Sequence, residues 1–359
     1  MAINTLQKLI KAEDGAFAIL KVANTLFSEK KLKKLAHYLP GYQRHVALGL
    51  LNHEIIGSNI QSIWPHWVYK QLLPDSPHFS GSQLPPILLN NTNRNWTGLS
   101  FPGVNETPIV DPCGLITPNP FGWSLDLWVA NSTKITSAAK LQRIGQTINP
   151  NYPLISTDFQ VQDLDIKSET FYKHYNQSED LLFNRVSLTN KGDKALKFSI
   201  ILAIRPYNPE GLAPISDIVY MTNNAFIVNN RLGLLLDKKP DNVICLNHDD
   251  GDILNFYGKW EMIFQTKCPM HQASALAEYQ LTIPPGETQT ITAKLPIETP
   301  ASLKKVFQKT LNPKQKKGLQ KRINTLQTIS LENELDKCKR DWKALRKSTT
   351  KFTFSNPKT

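Results

Sequence analysis

Apolar residues follow one another across positions 198–204, with Ser199 as the one polar exception. A strand with one face in water alternates apolar and polar residues, so this run predicts a central strand that is covered on both faces. The run ends at Arg205, and two prolines and a glycine follow within six residues. We expect the chain to leave the core there and turn. The polar residues at this exit are Arg205, Tyr207, Asn208 and Glu210. They either fasten the exit loop to its neighbours or line a ligand cleft.

Shorter segments with strand patterns recur from residue 95 to residue 296, separated by turn signals. In the last two, apolar residues alternate on either side of Pro284-Pro285-Gly286, which is the pattern of a hairpin. The predicted strands are 125–130, 181–188, 197–204, 218–220, 226–228, 232–236, 277–283 and 288–295. About 200 residues without a helical period predict one large antiparallel β-sandwich.

Beyond Pro300 the spacing of apolar residues becomes helical. The first two groups are Leu303, Val306 and Phe307, and then Leu319, Ile323 and Leu326, with Pro313 as a first-turn proline. A final helix is predicted to begin at Ser330, its N-cap. Its apolar stripe consists of Leu331, Leu335, Cys338, Trp342 and Leu345.

A stripe of that size is rarely left in water. It folds back on the sandwich, pairs with a second copy of the chain, or forms an interface with a separate catalytic chain. We expect it to fold back, because the preceding helices can bring it to the sandwich.

The pattern divides the chain into five parts. Residues 1–58 are predicted to be a helical segment that packs against the main domain, and 59–93 an extended connection rich in proline and tryptophan. The sandwich is assigned to 94–298, a basic helical linker to 299–350 and a tail to 351–359.

The formal net charge of +12 is not spread over the chain. Residues 301–351 hold 15 Lys and Arg against 4 Asp and Glu, and Lys358 adds one more, so the first 300 residues are neutral. A neutral body with a basic helical tail makes nucleic acid an unlikely partner. The tail is more typical of a solvated helix face, although binding through these helices is kept as an alternative.

The sequence predicts a cytoplasmic protein. No apolar run approaches the roughly 18 residues that a membrane-spanning helix requires, and Glu13 and Asp14 interrupt the region where a signal peptide would be apolar. The four cysteines, Cys113, Cys245, Cys268 and Cys338, are widely separated, which is typical of reduced thiols.

Motif searches identify no catalytic residue, cofactor or metal site. His53-Glu54 lacks the second histidine of a zinc protease, and no phosphate-binding or dinucleotide glycine motif is present. The acidic run at 247–252 has the composition of a turn, and Cys268 with His271 is a lone pair of possible ligands. Paired carboxylates could hydrolyse a glycoside, but their geometry cannot be obtained from sequence.

Four phrases, taken in order, indicate a family. They are Arg94-Asn95-Trp96-Thr97, Val110-Asp111-Pro112-Cys113-Gly114-Leu115, Gly122-Trp123-Ser124-Leu125-Asp126-Leu127-Trp128 and the segment 205–215. Together they resemble the amino-terminal super-sandwich of bacterial two-domain proteins of the six-hairpin glycosidase class, often labelled glycogen-debranching or glucoamylase-like. The resemblance covers about residues 50 to 350.

In proteins of that class the resemblance implies a catalytic helical toroid after the linker. Such a toroid needs on the order of 200 residues, whereas 61 residues follow Glu298 here. We therefore expect no catalytic residue on this chain, and no activity of the chain alone. The resemblance implies a non-catalytic sandwich that binds an oligosaccharide or α-glucan, or that partners a separately encoded six-hairpin domain.

The resemblance also implies where binding would occur. Tryptophan rings stack on sugars, and amides and carboxylates bond their hydroxyls. The candidate carbohydrate or domain-interface residues are Trp96, Trp123, Asp126, Arg205, Tyr207, Asn208 and Glu210. Both tryptophans could equally be core residues. The rival hypothesis is an active glycosidase with two carboxylates in a cleft of the sandwich.

Overall fold

The computed structural model describes residues 96–349 except for short internal gaps. The gaps are 105–106, 120–121, 132–134, 139–140, 142, 176–179, 210, 248–249, 251–260, 270, 272 and 298–312. The predicted segments 1–58, 59–93 and 351–359, the helical group at 303–307 and Glu210 lie outside the described residues. No helix of the described part is both long enough and apolar enough to cross a membrane.

The described part of the chain is mainly β, with two large antiparallel sheets and two carboxy-terminal helices, as the sequence predicts. A short two-stranded antiparallel pair lies outside both large sheets. The strands in chain order are β1 (Thr97–Gly98), β2 (Ile109–Val110), β3 (Ile116–Thr117), β4 (Ser124–Ala130), β5 (Ile135–Ser137), β6 (Gly145–Ile148), β7 (Leu154–Val161), β8 (Leu164–Lys173), β9 (Leu181–Asn190), β10 (Leu196–Arg205), β11 (Tyr207–Asn208), β12 (Gly211–Leu212), β13 (Asp217–Met221), β14 (Ala225–Val228), β15 (Arg231–Leu236), β16 (Asn242–Leu246), β17 (Gln265–Lys267), β18 (Ser274–Ile283) and β19 (Thr288–Pro296). The helices are α1 (Pro313–Gln327) and α2 (Leu331–Ser348).

The first sheet has eight strands in the order β1-β2-β3-β4-β10-β18-β16, with β5 paired to β4. The second has nine, in the order β17-β13-β14-β15-β19-β9-β8-β7-β6. Residues from the facing sides of both sheets form one core, to which β10 contributes alternate residues such as Ile200 and Leu202. On the other face of β10, Ile201 and Ala203 are buried with Trp128 and Leu276. The prediction of a central strand covered on both faces is therefore confirmed.

The two helices cover the outer face of the nine-stranded sheet. Ile323 and Leu326 of α1, together with Leu331, Leu335 and Cys338 of α2, share a cluster with sheet residues. Trp342 packs against this cluster. The predicted N-cap also forms, since Ser330 accepts a hydrogen bond from the Asn333 amide. The stripe on α2 thus folds back on the sandwich.

The hairpin predicted around Pro284-Pro285-Gly286 is wrong, although both of its strands exist. β18 pairs with β10 and β16 in one sheet, whereas β19 pairs with β9 and β15 in the other. The turn therefore crosses from sheet to sheet. Gly286, at φ +74°, donates its amide to the Asn190 carbonyl. Alternation of apolar and polar residues indicates that one face of a strand is buried, but it does not identify the strand with which it pairs.

Candidate functional site

The exit from β10 is a buried, fully packed structure. Arg205 is 2% exposed, and its guanidinium lies 5.2 Å from the centres of the Trp128 and Tyr207 rings. Arg205 Nε donates a hydrogen bond of 3.1 Å to the Tyr207 hydroxyl. A cation held between two aromatic faces in this way is satisfied within the protein. Arg205 is therefore placed to hold the fold together rather than to meet a ligand.

The residues after Arg205 fasten the exit loop. The Tyr207 carbonyl accepts a bond of 2.6 Å from Ser124 Oγ, and Asn208 Nδ2 donates a bond of 2.8 Å to the Gly122 carbonyl. Tyr207 and Asn208 are both buried. Of the two interpretations left open by the sequence, these contacts support fastening of the loop.

The two candidate tryptophans are not brought together. Trp123 belongs to the core between the sheets, where its ring edge lies so close to Gly233 that a Cβ there would be 2.9 Å away. Trp96 is half-buried just before β1, at the opposite edge of the eight-stranded sheet from β16. No stacking platform is formed by this pair.

Among the described members of the candidate group, Asp126 carries a carboxyl group with a shifted pKa. It is half-buried beside Arg205 and accepts a hydrogen bond of 2.8 Å from Trp128 Nε1. Burial raises its pKa to about 6, against the lowering effects of Trp128 and Arg205, while the Asp111 carboxylate raises it further. Asp111 itself caps the turn of the Asp-Pro-Cys-Gly-Leu phrase by accepting bonds from the Cys113 and Leu115 amides.

A cleft of about 650 Å³ lies elsewhere, between α2 and the end of β8. Three chain segments that are far apart in sequence form its walls. Its principal lining residues are Phe101, His174, Tyr175, Glu334, Asp341 and Leu345. One side of the cleft is aromatic. The rings of Phe101 and His174 stack there with their centres 5.5 Å apart, and the Trp342 ring contacts Phe101 edge-on.

A hydrogen-bond network orients one wall of this cleft. Asp180 is 5% exposed, and its two carboxylate oxygens both lie 3.0 Å from His174 Nδ1. The same carboxylate accepts hydrogen bonds from the Tyr172 hydroxyl and from the Tyr175 amide. Asp180 therefore fixes the orientation of the His174 ring, which lines the cleft.

Glu334 and Tyr175 carry unused hydrogen-bonding capacity. Glu334 is 4% exposed, and Lys337 binds its Oε1 at 2.5 Å. Its Oε2 and the Tyr175 hydroxyl are both buried, and the hydroxyl interacts with the Glu334 carboxylate without reaching the geometry of an ordinary hydrogen bond. Burial, followed by the Glu334 carboxylate, raises the pKa of Tyr175 well above its ordinary value. Buried polar atoms with imperfect hydrogen bonds are costly, so a ligand that supplied better bonds to this pair would be favoured.

The charges of the cleft are balanced. Lys173 pairs with Asp341 across the cleft, and Lys337 pairs with Glu334 on the same helix. Two cations therefore offset two carboxylates, while Asp180 lies behind His174. A neutral polar ligand fits this lining better than a strongly charged one.

Sequence reasoning missed this cleft almost entirely. Of the lining residues, the predicted apolar stripe included Leu345 alone. Glu334 carried the available signal, because it lies between the stripe residues Leu331 and Leu335 on the buried side of a helix. A carboxylate at such a position is rarely fully buried without a reason.

No protein family model and no curated protein sequence matches the chain. Among solved structures it is similar to a protein described as a kojibiose phosphorylase from human microbiome, at 8% identity and a TM-score of 0.39, over 70% of this chain and 31% of that one. It is also similar to a 4-alpha-glucanotransferase from Thermococcus litoralis, at 10% identity and a TM-score of 0.30, over 81% of this chain and 56% of that one. A third similar structure is a galactose mutarotase related enzyme from Lactobacillus acidophilus, at 10% identity and a TM-score of 0.27. The match covers 57% of this chain and 98% of that one.

The chain thus spans less than a third of the phosphorylase and just over half of the glucanotransferase. At TM-scores below 0.5, none of these likenesses carries an argument about function.

A second depression, of about 810 Å³, lies on the outer face of β6 to β9. It is larger than the cleft, but its polar groups, among them Asp158, Lys167 and Ser187, stand on an open sheet face. None of its side chains is among the described buried atoms that lack a hydrogen bond. We therefore regard the cleft as the better candidate site.

The described residues contain no group of three or more side chains that could hold a metal ion. Asn247 and Asp250 form a reciprocal turn, with hydrogen bonds of 2.9 and 3.1 Å between amides and side-chain oxygens. His271 has φ 58° in a turn closed onto the Cys268 carbonyl, and its Nδ1 lies 2.7 Å from Ser216 Oγ. Asn247, Asp250 and His271 thus belong to turns, while the other four residues of the run at 247–252 lie outside the described part of the chain.

Proposed function

We propose that this chain is the sandwich portion of a carbohydrate-active protein and that it binds a saccharide in the cleft between α2 and β8. The four sequence phrases that resemble the super-sandwich of six-hairpin glycosidases motivate the choice of ligand class. In this proposal the chain recognises the sugar, and a separately encoded catalytic domain, if present, is its partner. The binding residues differ from those that the sequence favoured, because Trp123, Arg205, Tyr207 and Asn208 are buried.

The observation that carries the proposal is the buried pair formed by Glu334 Oε2 and the Tyr175 hydroxyl, which interact with each other but make no hydrogen bond of ordinary geometry to any other described group. A carboxylate oxygen only accepts hydrogen bonds, whereas a phenol both donates and accepts. A sugar presents hydroxyl groups on adjacent carbons that can do both. A sugar that enters the cleft would have to separate the pair, after which one hydroxyl could donate to Glu334 and a neighbouring hydroxyl could bond to Tyr175.

The rest of the lining is consistent with this ligand class. His174, whose ring is oriented by Asp180, lines the cleft as a further polar side chain. Phe101 and Leu345 provide the apolar surface that the C–H face of a sugar ring requires. The balanced pairs Lys173–Asp341 and Lys337–Glu334 leave no excess charge to exclude a neutral ligand.

Titration calorimetry of the purified chain with maltohexaose, and with a panel of other neutral oligosaccharides, tests the proposal. Glu334→Gln keeps the size of the side chain but weakens the acceptor, so affinity should fall about tenfold or more. Tyr175→Phe should also weaken binding. Asp336→Asn, an exposed carboxylate on the same helix, is the matched control and should bind as the wild type does. Binding that is equal in the Glu334 variant, or absent for every sugar, would overturn the proposal.

A further inference from the structure

The outer face of the eight-stranded sheet is apolar and buried. Successive residues of β4, β10, β18 and β16 point alternately into the core and onto this face. Glu278 lies opposite Ile201 in the register of β10 and β18, and it is 1% exposed, so even a carboxylate on this face is shielded from water. Seven residues of the face form a cluster in which none is more than 2% exposed: Trp128, Ala130, Ile201, Ala203, Ile244, Leu246 and Leu276.

The described part of the chain provides no layer over this cluster. All seven residues belong to the sheet itself, and the partly buried residues packed against them are Ile135 of β5 and Ile263, which bridges to Ile244 of β16. The helices α1 and α2 cover the other sheet. A side chain on the outside of a sheet is exposed unless another element lies over it, so the burial of this face requires a further layer.

The segments outside the described part differ in length and in where they are attached. Residues 298–312 and 350–359 adjoin α1 and α2, which lie on the opposite side of the sandwich. Residues 251–260 follow β16, whereas Trp128 on β4 lies three strands away, at about 14 Å. Residues 1–95 form a much longer segment and lead into β1, at the edge of this sheet. Length and attachment therefore favour the amino-terminal segment as the covering layer.

The sequence of the amino-terminal segment has the pattern and the size that this face requires. Two helices side by side are about 20 Å wide, and four strands at about 4.8 Å spacing occupy a similar width. Helices of about 20 Å in length would use roughly 30 residues in all. Apolar residues recur at helical spacing on both sides of Asp14-Gly15, which predicts a helical hairpin. They are Leu6, Ile10, Phe17, Leu20, Leu26 and Phe27.

We infer that residues 1–58 dock on the outer face of the eight-stranded sheet, over the cluster that contains Trp128, Ile201 and Leu276. The sandwich then carries a helical layer on each outer face, the amino-terminal segment on one sheet and α1 with α2 on the other. This inference does not rest on the proposed function, because the cleft lies between α2 and β8 of the other sheet. It adds that a separate catalytic domain has to bind somewhere other than on this face.

Photocross-linking in the full chain tests the position of the segment. The photoreactive residue p-benzoylphenylalanine replaces Gln280, an exposed residue of β18 on the same face as Glu278 and Leu276. We expect mass spectrometry to identify a link to a peptide from residues 1–58 of the same chain. Gln160, an exposed glutamine of β7 in the other sheet, is the matched control position and should give no such link. Mixing isotope-labelled and unlabelled chains separates links within a chain from links between copies. A link from Gln280 to a second copy, to residues 251–260 or to no peptide at all would overturn the inference, as would an equal link from Gln160.

Thermal unfolding of the full chain tests whether the contact stabilises the sandwich. Leu6→Ala with Leu20→Ala removes apolar side chains from the proposed contact and should lower the melting temperature by about 3 °C or more. Lys8→Ala with Lys21→Ala, at polar positions of the same segment, is the matched control and should change it much less. Equal melting temperatures for the leucine variant and the wild type would contradict docking of the segment on the sheet.

Discussion

The guanidinium of Arg205 lies 5.2 Å from the centre of the Trp128 ring, at the point where the central strand leaves the core. With Tyr207 on another side, this cation is enclosed by aromatic faces and is 2% exposed. The arrangement makes the exit from β10 a structural element rather than a binding surface.

Replacing Arg205 should therefore destabilise the domain. Arg205→Ala removes a buried cation and leaves its hydrogen-bonding partners unpaired, so we expect a loss of about 3 kcal/mol in the free energy of unfolding. Arg205→Lys keeps the charge but not the planar stacking, and should lose part of that amount. Chemical denaturation measures both, with the exposed Lys197→Ala, at the start of the same strand, as control. An unchanged midpoint for Arg205→Ala would place the side chain in solvent.

Asp126 should make the stability of the domain depend on pH. Its folded-state pKa is about 6, above the ordinary 3.8, so the folded protein holds this proton more tightly than the unfolded chain does. Its contribution to stability is therefore favourable below about pH 4 and is lost as pH rises through 6. Asp126→Asn mimics the protonated group and can still accept a bond from Trp128.

We expect Asp126→Asn to be more stable than the wild type by about 1–2 kcal/mol at pH 7.5 and equally stable near pH 4. Thermal unfolding at the two pH values measures this. A difference of the same size at both pH values would contradict the assignment of the shift to Asp126.

The folded-back helix can be tested at its apolar stripe. Leu335 is 5% exposed within the helix–sheet cluster, and Trp342 packs against that cluster and meets Phe101. Leu335→Glu with Trp342→Glu should lower the stability of a monomer by about 3 kcal/mol or more, because two carboxylates would enter an apolar interface. Asn333→Glu with Lys343→Glu, at exposed positions of the same helix, should have a much smaller effect. A wild-type dimer that becomes an equally stable monomer in the double variant would show that the stripe joins two chains.

Two glycines provide a matched pair for packing. A Cβ at Gly233 would lie 2.9 Å from the Trp123 ring and 3.0 Å from Val228, so Gly233→Ala should cost about 1–3 kcal/mol. A Cβ at Gly318 in α1 would meet nothing within 4 Å, and Gly318→Ala should stabilise by about 1 kcal/mol through helix propensity. Equal effects of the two changes in calorimetric melting would mean that Trp123 is not packed in the core.

The fold could be predicted where apolar patterns were strong. The run at 198–204, apolar except for Ser199, located β10, and the eight predicted segments all form strands. The patterns failed where polar residues face the core. Along β8, Ser168 and Thr170 are buried and accept hydrogen bonds from Asn184. Buried and exposed positions therefore alternate along this strand, but several of the buried side chains are polar.

The candidate site could not be predicted by the same reasoning. Its residues come from positions near 101, 174 and 334–345, and only the packing of α2 on the nine-stranded sheet brings them together. The polar residues that the sequence favoured, such as Arg205 and Asn208, are conspicuous because they interrupt an apolar run. Because they directly follow a central strand, these residues are buried, and their polar groups contact other groups of the protein.

A crystal structure of the chain with the oligosaccharide that binds most tightly tests the central claim most directly. The account predicts a sugar ring in the cleft, with one hydroxyl at a hydrogen-bonding distance of about 3 Å from Glu334 Oε2 and a neighbouring hydroxyl at a similar distance from the Tyr175 oxygen. A sugar bound instead on the open face of β6 to β9, with the cleft unoccupied, would contradict it.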